Sequence, residues 1–114
     1  MSCLIEQYLK ERRDFRIWRS GDYAFLTWKP TDDNGAYIQD IYVIPEYRRQ
    51  SEASCMTDSF VKWLRVNMPS CERLYGSVDF TAKNPELGLI AMLLYGFKIK
   101  NVMGNGLWLC KELE

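Results

Sequence analysis

Asp40-Ile41-Tyr42-Val43-Ile44-Pro45-Glu46-Tyr47-Arg48-Arg49 is the stretch on which the fold turns. Residues 36–44 alternate: Ile41 and Val43 point one way, Asp40, Tyr42 and Ile44 the other, which is the period of a strand. Pro45 lacks the N–H that a ladder needs and ends it. From Ser51 to about Met68 the period becomes helical. Ala53, Met56, Phe60, Trp63, Leu64 and Asn67 share one broad face, and all but Asn67 are apolar. Pro69 stops that helix. Leu74 to Phe80 reads as the next strand, with Val78 and Phe80 on one face. A strand, helix, strand run of this kind predicts a right-handed crossover that sets strands 36–44 and 74–80 side by side.

Working outward, residues 2–14 predict a short helix, with Leu4, Ile5, Tyr8 and Leu9 at helical spacing and Ser2 as N-cap. Phe15 to Arg19 and Tyr23 to Trp28 are aromatic-rich segments about Ser20-Gly21-Asp22, a hairpin signal. Residues 30–35 hold Thr31, Asp32, Asp33 and Asn34 and read as a turn. Pro85 and Glu86 open a second long helix through Leu94, closed by Gly96. Two last strands, about 97–103 and 107–112, flank Gly104-Asn105-Gly106. The expected order is α-β-β-β-α-β-α-β-β, a mixed, mostly antiparallel α/β sheet with helices on both faces. No repeat or linker interrupts it, so residues 1–114 are expected to form one domain.

Composition narrows the chemistry. The 114 residues carry 15 Lys+Arg, 15 Asp+Glu and no histidine, for a formal charge of zero. A dedicated nucleic-acid binder needs a basic excess to displace counterions, so that class is disfavoured. Without imidazole there is no Ser-His-Asp triad and no His-containing zinc or haem site. Proton transfer is left to carboxylate, Tyr, Cys, Lys, water or a terminal amine. Cys3, Cys55, Cys71 and Cys110 are far apart, form no C-x-x-C pair and follow no leader-like segment. They read as reduced thiols of a soluble, cytoplasmic chain. No metal is expected, and no apolar run approaches the roughly 20 residues that span a bilayer.

The segment 40–49 closely resembles the core of the GNAT family of N-acetyltransferases, whose pattern runs DLYV-x-PEYR into a glycine loop and a helix. Asn84 and Gly96-Phe97 resemble a second signature of that family, an Asn followed by a helix ending in GF. The resemblance covers roughly residues 36–100 and implies an acyl-CoA N-acyltransferase fold with a shortened N-terminal part. It also implies acetyl-CoA as cosubstrate and a primary amine, on a small molecule or a protein, as acceptor. By the same resemblance, amides of Ile41, Tyr42 and Val43 would meet the pantetheine and thioester. Arg48, Arg49, Gln50, Ser51, Glu52, Ala53 and Ser54 would form the pyrophosphate loop, and Asn84 would add a coenzyme contact. Helix N-termini suit such a role, because their unpaired amides and positive dipole end attract phosphate.

Two departures from the family pattern stand out. The loop has Ser51 and Ala53 at its glycine positions, with Glu52 placing a carboxylate in the first turn of the helix. Met92 occupies the usual position of the tyrosine acid; Tyr95, just before Gly96, is the remaining candidate, roughly 300° further round the helix. Asp40 is the candidate general base. These departures leave a second reading, a domain of this fold that no longer binds coenzyme and serves in interaction or assembly, as in some compact phage-encoded chains. A homodimer or larger assembly is open. Cys55 is expected to be a buried small residue rather than a nucleophile, since no base partners it. The tryptophans Trp18, Trp28, Trp63 and Trp108 read mainly as core, with Trp18 and Trp28 as an alternative groove or partner surface.

Overall fold

The computed structural model describes residues 4–47 and 52–113, apart from the side chains of Glu6, Arg12 and Glu52. Helix α1 (Leu4–Arg13) leads into β1 (Arg16–Ser20), β2 (Ala24–Pro30) and β3 (Gly35–Val43). A 3-10 turn at Pro45–Tyr47, helix α2 (Glu52–Asn67) and β4 (Arg73–Asp79) follow. Helix α3 (Pro85–Tyr95), β5 (Lys98–Met103) and β6 (Gly106–Glu112) complete the chain. The six strands form one mixed sheet in the order β1-β2-β3-β4-β6-β5. The expected element order holds, with ends shifted by a residue or two. The proposed cap Ser2 lies outside the described residues.

Both helical crossovers step the same way across the sheet, so right-handed connections put α2 and α3 on one face. The core sits under them: Leu26, Trp28, Ala36, Ile38, Leu74 and Leu109 of the sheet meet Met56, Phe60 and Leu64 of α2. The rings of Trp18, Trp28 and Trp63 surround Phe60 at 5.8, 5.2 and 6.1 Å. Trp18 and Trp28 are thus core residues and not a groove. A Cβ at Gly76 would meet the Met92 methyl, the flexible end of a side chain that α3 lays on β4. Helix α1 lies against β1.

Two features of the central strands differ from simple alternation. In the pairing of β2 with β3, Thr27 lies opposite Asp40 but Trp28 opposite Ile38, so Gln39 is the extra residue of a β-bulge. The bulge switches parity: Ala36 and Ile38 on one side of it and Ile41 and Val43 on the other all face α2. Then β3 and the parallel β4 stay paired over only three residues, Gly35–Tyr37 against Arg73–Tyr75. Beyond that point the strands diverge.

The branch point is pinned by polar contacts. The Tyr75 phenol and the Thr31 hydroxyl both donate to the Asp33 carboxylate, and Arg73 Nη1 lies 3.8 Å from it. Its three partners hold the Asp33 pKa below the usual carboxylate range, with Thr31 and Tyr75 contributing most. Strand β4 ends at Asp79, which leaves Phe80 in the following turn and half exposed instead of on the face of Val78. Gly104, φ 51°, takes the first central position of the β5–β6 hairpin turn, where only glycine is unstrained.

Candidate functional site

The divergence of β3 and β4 opens a cavity of about 500 Å³ on the helical side of the sheet. Residues 38–41 of β3 form one wall and residues 76–79 of β4 the other. The first turns of α2 (Ala53, Ser54, Thr57), the 82–85 turn and the inner side of α3 (Gly88, Ala91, Met92, Tyr95) close it. Of the expected site residues that are described, Asp40, Ile41, Ala53, Ser54, Asn84 and Tyr95 line this one space, while Tyr42 and Val43 do not. Arg48, Arg49, Gln50 and Ser51 lie outside the described residues, and Glu52 is placed by its backbone as the first residue of α2. Tyr47 packs on Tyr23 at 4.7 Å between ring centres, which fixes the turn feeding that loop to the β1–β2 corner.

Backbone direction can be read along β3. The Asp40 amide donates to Thr27 Oγ1 at 3.2 Å and the Ile44 amide to the Tyr23 carbonyl at 2.9 Å, both toward β2. Amides alternate along a strand, so those of Ile41 and Val43 turn to the opposite edge, where β4 has drawn away. The Tyr42 amide faces β2, and its ring stacks on Phe25 on the sheet's other face. Ile41 is 43% exposed even though it shares the core-facing side, because it borders the opening.

Asp40 and Asp79 stand on the two strands that diverge, and both are exposed. They differ in what they hold. Asp79 Oδ1 accepts from the Thr81 hydroxyl at 2.7 Å and from its amide at 2.8 Å. Those bonds favour the ionised carboxylate and hold its pKa below the usual range. Among the described residues no such bond engages the Asp40 carboxylate, which is left available to a ligand. Asn84, in the left-handed region at φ 56°, makes no capping bond with its side chain, so its carboxamide is not spent on α3.

Tyr95 reaches the cavity, but its hydroxyl donates to Asp58 of α2 at 2.6 Å. Burial first, and the Asp58 bond next, push its pKa well above the usual tyrosine value. A hydroxyl so held is a poor donor to a leaving thiolate. Its visible role is to tie the two helical walls together. The raised value makes a sign-definite prediction: the contribution is intact below the unfolded pKa of about 10 and is lost as pH rises above it. Wild type should therefore lose stability more steeply above about pH 10 than Tyr95→Phe, as followed by urea unfolding across pH.

Cys55 is exposed on α2, which corrects the expectation of a buried side chain; the buried face of the helix passes through Met56, Thr57 and Phe60. Burial raises the thiol pKa of Cys71 and Cys110, so both stay protonated. Among the described residues no group of three Cys, Asp or Glu side chains is placed to hold a metal. No described helix is long and apolar enough to cross a membrane. Asp79, Asp58 and Thr57 were not among the residues singled out from the sequence. Only Asp79 left a trace there, as a polar residue near the end of the strand expected over 74–80.

A mixed sheet whose central parallel pair diverges over a cavity, with a helix N-terminus at its mouth, is the GNAT acyl-CoA N-acyltransferase fold, and this chain has it. Its similarity to solved structures bears this out. The PaiA N-acetyltransferase of Thermoplasma acidophilum, solved with coenzyme A, superposes with a TM-score of 0.73 at 16% identity, covering 96% of this chain and 69% of that one. An acetyltransferase of Thermus thermophilus gives 0.71 at 17% identity, over 94% and 70% of the two chains. A GNAT family acetyltransferase of Elizabethkingia anophelis, solved with acetyl-CoA bound, gives 0.70 at 16%, over 96% and 82%. No family model matches the sequence, and no curated protein matches it.

Proposed function

We propose that the chain is an N-acetyltransferase that moves an acetyl group from acetyl-CoA to a primary amine. The observation that supports this reading is the cavity between β3 and β4, bordered by the Ile41 amide and the start of α2, with Asp40 on the dividing strand and its side chain on the sheet face it shares with Tyr42. Its size and mainly apolar walls suit the pantetheine arm. The Ile41 amide is the donor for the thioester carbonyl, and the first turn of α2, with Arg48 and Arg49, holds the pyrophosphate. Asn84 supplies a further polar contact to the coenzyme.

Acetyl-CoA brings an activated acyl thioester; the transfer forms the amide C–N bond and breaks the C–S bond. The chain's own part begins with Asp40, which takes the proton from the acceptor ammonium so that the amine lone pair is available. Holding both reactants in one cleft supplies a large share of the rate. With Met92 at the family's acid position and Tyr95 bonded to Asp58, the departing sulfur leaves as thiolate; the second proton of the attacking nitrogen passes to solvent as the amide forms, and the thiolate takes its proton from the same solvent. A thiol, with an ordinary pKa of about 8.5, is a good enough leaving group for this.

The competing reading, a domain of this fold without coenzyme chemistry, rests on the Glu52 charge at the phosphate-facing helix end. A thiol-release assay with acetyl-CoA and a panel of primary amines separates the two. Amine-dependent release of free CoA supports the transferase. Release no faster than hydrolysis across diamines, amino sugars, aminoacyl amides and lysine peptides counts against it.

A further inference from the structure

Two threonines are buried, Thr27 and Thr57. Thr57 bonds the Ala53 carbonyl one turn back along α2 at 2.7 Å, an ordinary use of a helical threonine. Thr27 is different. Its neighbours Leu26 and Trp28 belong to the core under α2, so its side chain lies on the opposite face of β2, across from Ile17 of β1. Valine would fill that place in a strand equally well, and a buried hydroxyl costs stability unless its bonds are met. Both bonds go to one spot. Thr27 Oγ1 accepts from the Asp40 amide at 3.2 Å and donates to Gln39 Oε1 at 3.5 Å, and these are the two residues of the β3 bulge.

That bulge decides which way Asp40 points. In a regular strand Asp40 would follow Ala36 and Ile38 toward α2; the extra residue turns it to the other face, beside Tyr42. The coenzyme of the proposed reaction approaches from the helical side, where α2 starts. The gap between β3 and β4 also reaches the opposite face, through Gln39, Asp40, Ser77 and Asp79, and that side is left for the acceptor. We infer that Thr27 is a positioning residue for the transfer: its hydroxyl locks the bulge and so holds the Asp40 carboxylate at the acceptor side of the gap. With no bond from a described residue to that carboxylate, its aim depends on the backbone beneath it. The inference rests on the N-acetyltransferase reading, in which Asp40 takes the acceptor's proton.

Steady-state kinetics and amide exchange test it together. Thr27→Val keeps the shape and removes both bonds. It should lower kcat about tenfold or more, as displacements on the order of 1 Å do, with KM for acetyl-CoA unchanged. Thr27→Ser keeps the hydroxyl and should restore most of the turnover. In an Asp40→Asn background Thr27→Val should lower kcat no further, because it acts through Asp40; a residue that only supports the fold would lower it equally in both backgrounds. Hydrogen exchange gives a readout free of turnover. The Asp40 amide should exchange at least about fivefold faster in Thr27→Val, while the Ile44 amide, bonded to the Tyr23 carbonyl, keeps its rate. Thr27→Ala replaces the valine variant if circular dichroism shows the latter to be poorly folded. Unaltered kcat or Asp40 exchange in Thr27→Val, or an equal loss of kcat in the Asp40→Asn background, overturns the inference. A wild type without amine-dependent CoA release overturns the transferase reading itself, and the exchange rates then decide alone whether Thr27 locks the bulge.

Discussion

Replacing Phe60 by alanine should cost about 3–5 kcal/mol, the range for emptying a large aromatic site in a packed core. Phe60 is fully buried on α2, the helix that roofs the sheet. Its ring is gripped by Trp18, Trp28 and Trp63, three bulky neighbours that cannot collapse into the space it leaves. With total stabilities of about 5–15 kcal/mol for domains generally, such a loss threatens folding itself. The thermal midpoint should drop by about 10–20 °C, and the three indoles make tryptophan fluorescence the natural probe. A loss below about 1 kcal/mol would show that α2 is not anchored where the structure puts it.

The second large effect is chemical. Asp40→Asn should lower kcat on any accepted amine by about 10²-fold or more, the usual worth of a positioned general base. Affinity for acetyl-CoA should stay the same, since Asp40 is proposed to face the acceptor. Asparagine keeps the size of the side chain, and the backbone bond of Asp40 to Thr27 Oγ1 does not involve the carboxylate. Asp79→Asn is the control: its carboxylate already serves Thr81, so turnover should fall far less. Raising pH should partly rescue Asp40→Asn, because the amine then arrives deprotonated. Equal losses in the two variants would shift the base to Asp79 or to both.

Much of this was legible in the residues. Pro45, Pro69, Pro85 and Gly96 punctuate the chain, and the switch from period two to helical period between them fixed β3, α2, β4 and α3. The convergence of Asp40, Ile41 and Asn84 on one cavity followed from that crossover. The bulge at Gln39 was readable in principle. The apolar positions change parity between Ile38 and Ile41, which a regular strand cannot satisfy on one face. What stayed hidden depends on contacts between distant segments. The Tyr95–Asp58 bond joins residues 37 apart, and the anchoring of the branch point on Asp33 joins residues about 40 apart. No local period encodes either. Cys55 was misjudged for a related reason: small apolar residues suit both buried and exposed helix positions, and only packing decided.

Whether coenzyme binds at all is the question beneath the rest, and calorimetric titration of the folded chain with acetyl-CoA answers it most directly. The account predicts saturable binding at micromolar level, and tighter binding by about 0.3–1 kcal/mol for Glu52→Gln, which removes a like charge from the first turn of α2. Absence of heat up to millimolar acetyl-CoA, with wild type and Glu52→Gln both folded, would contradict it.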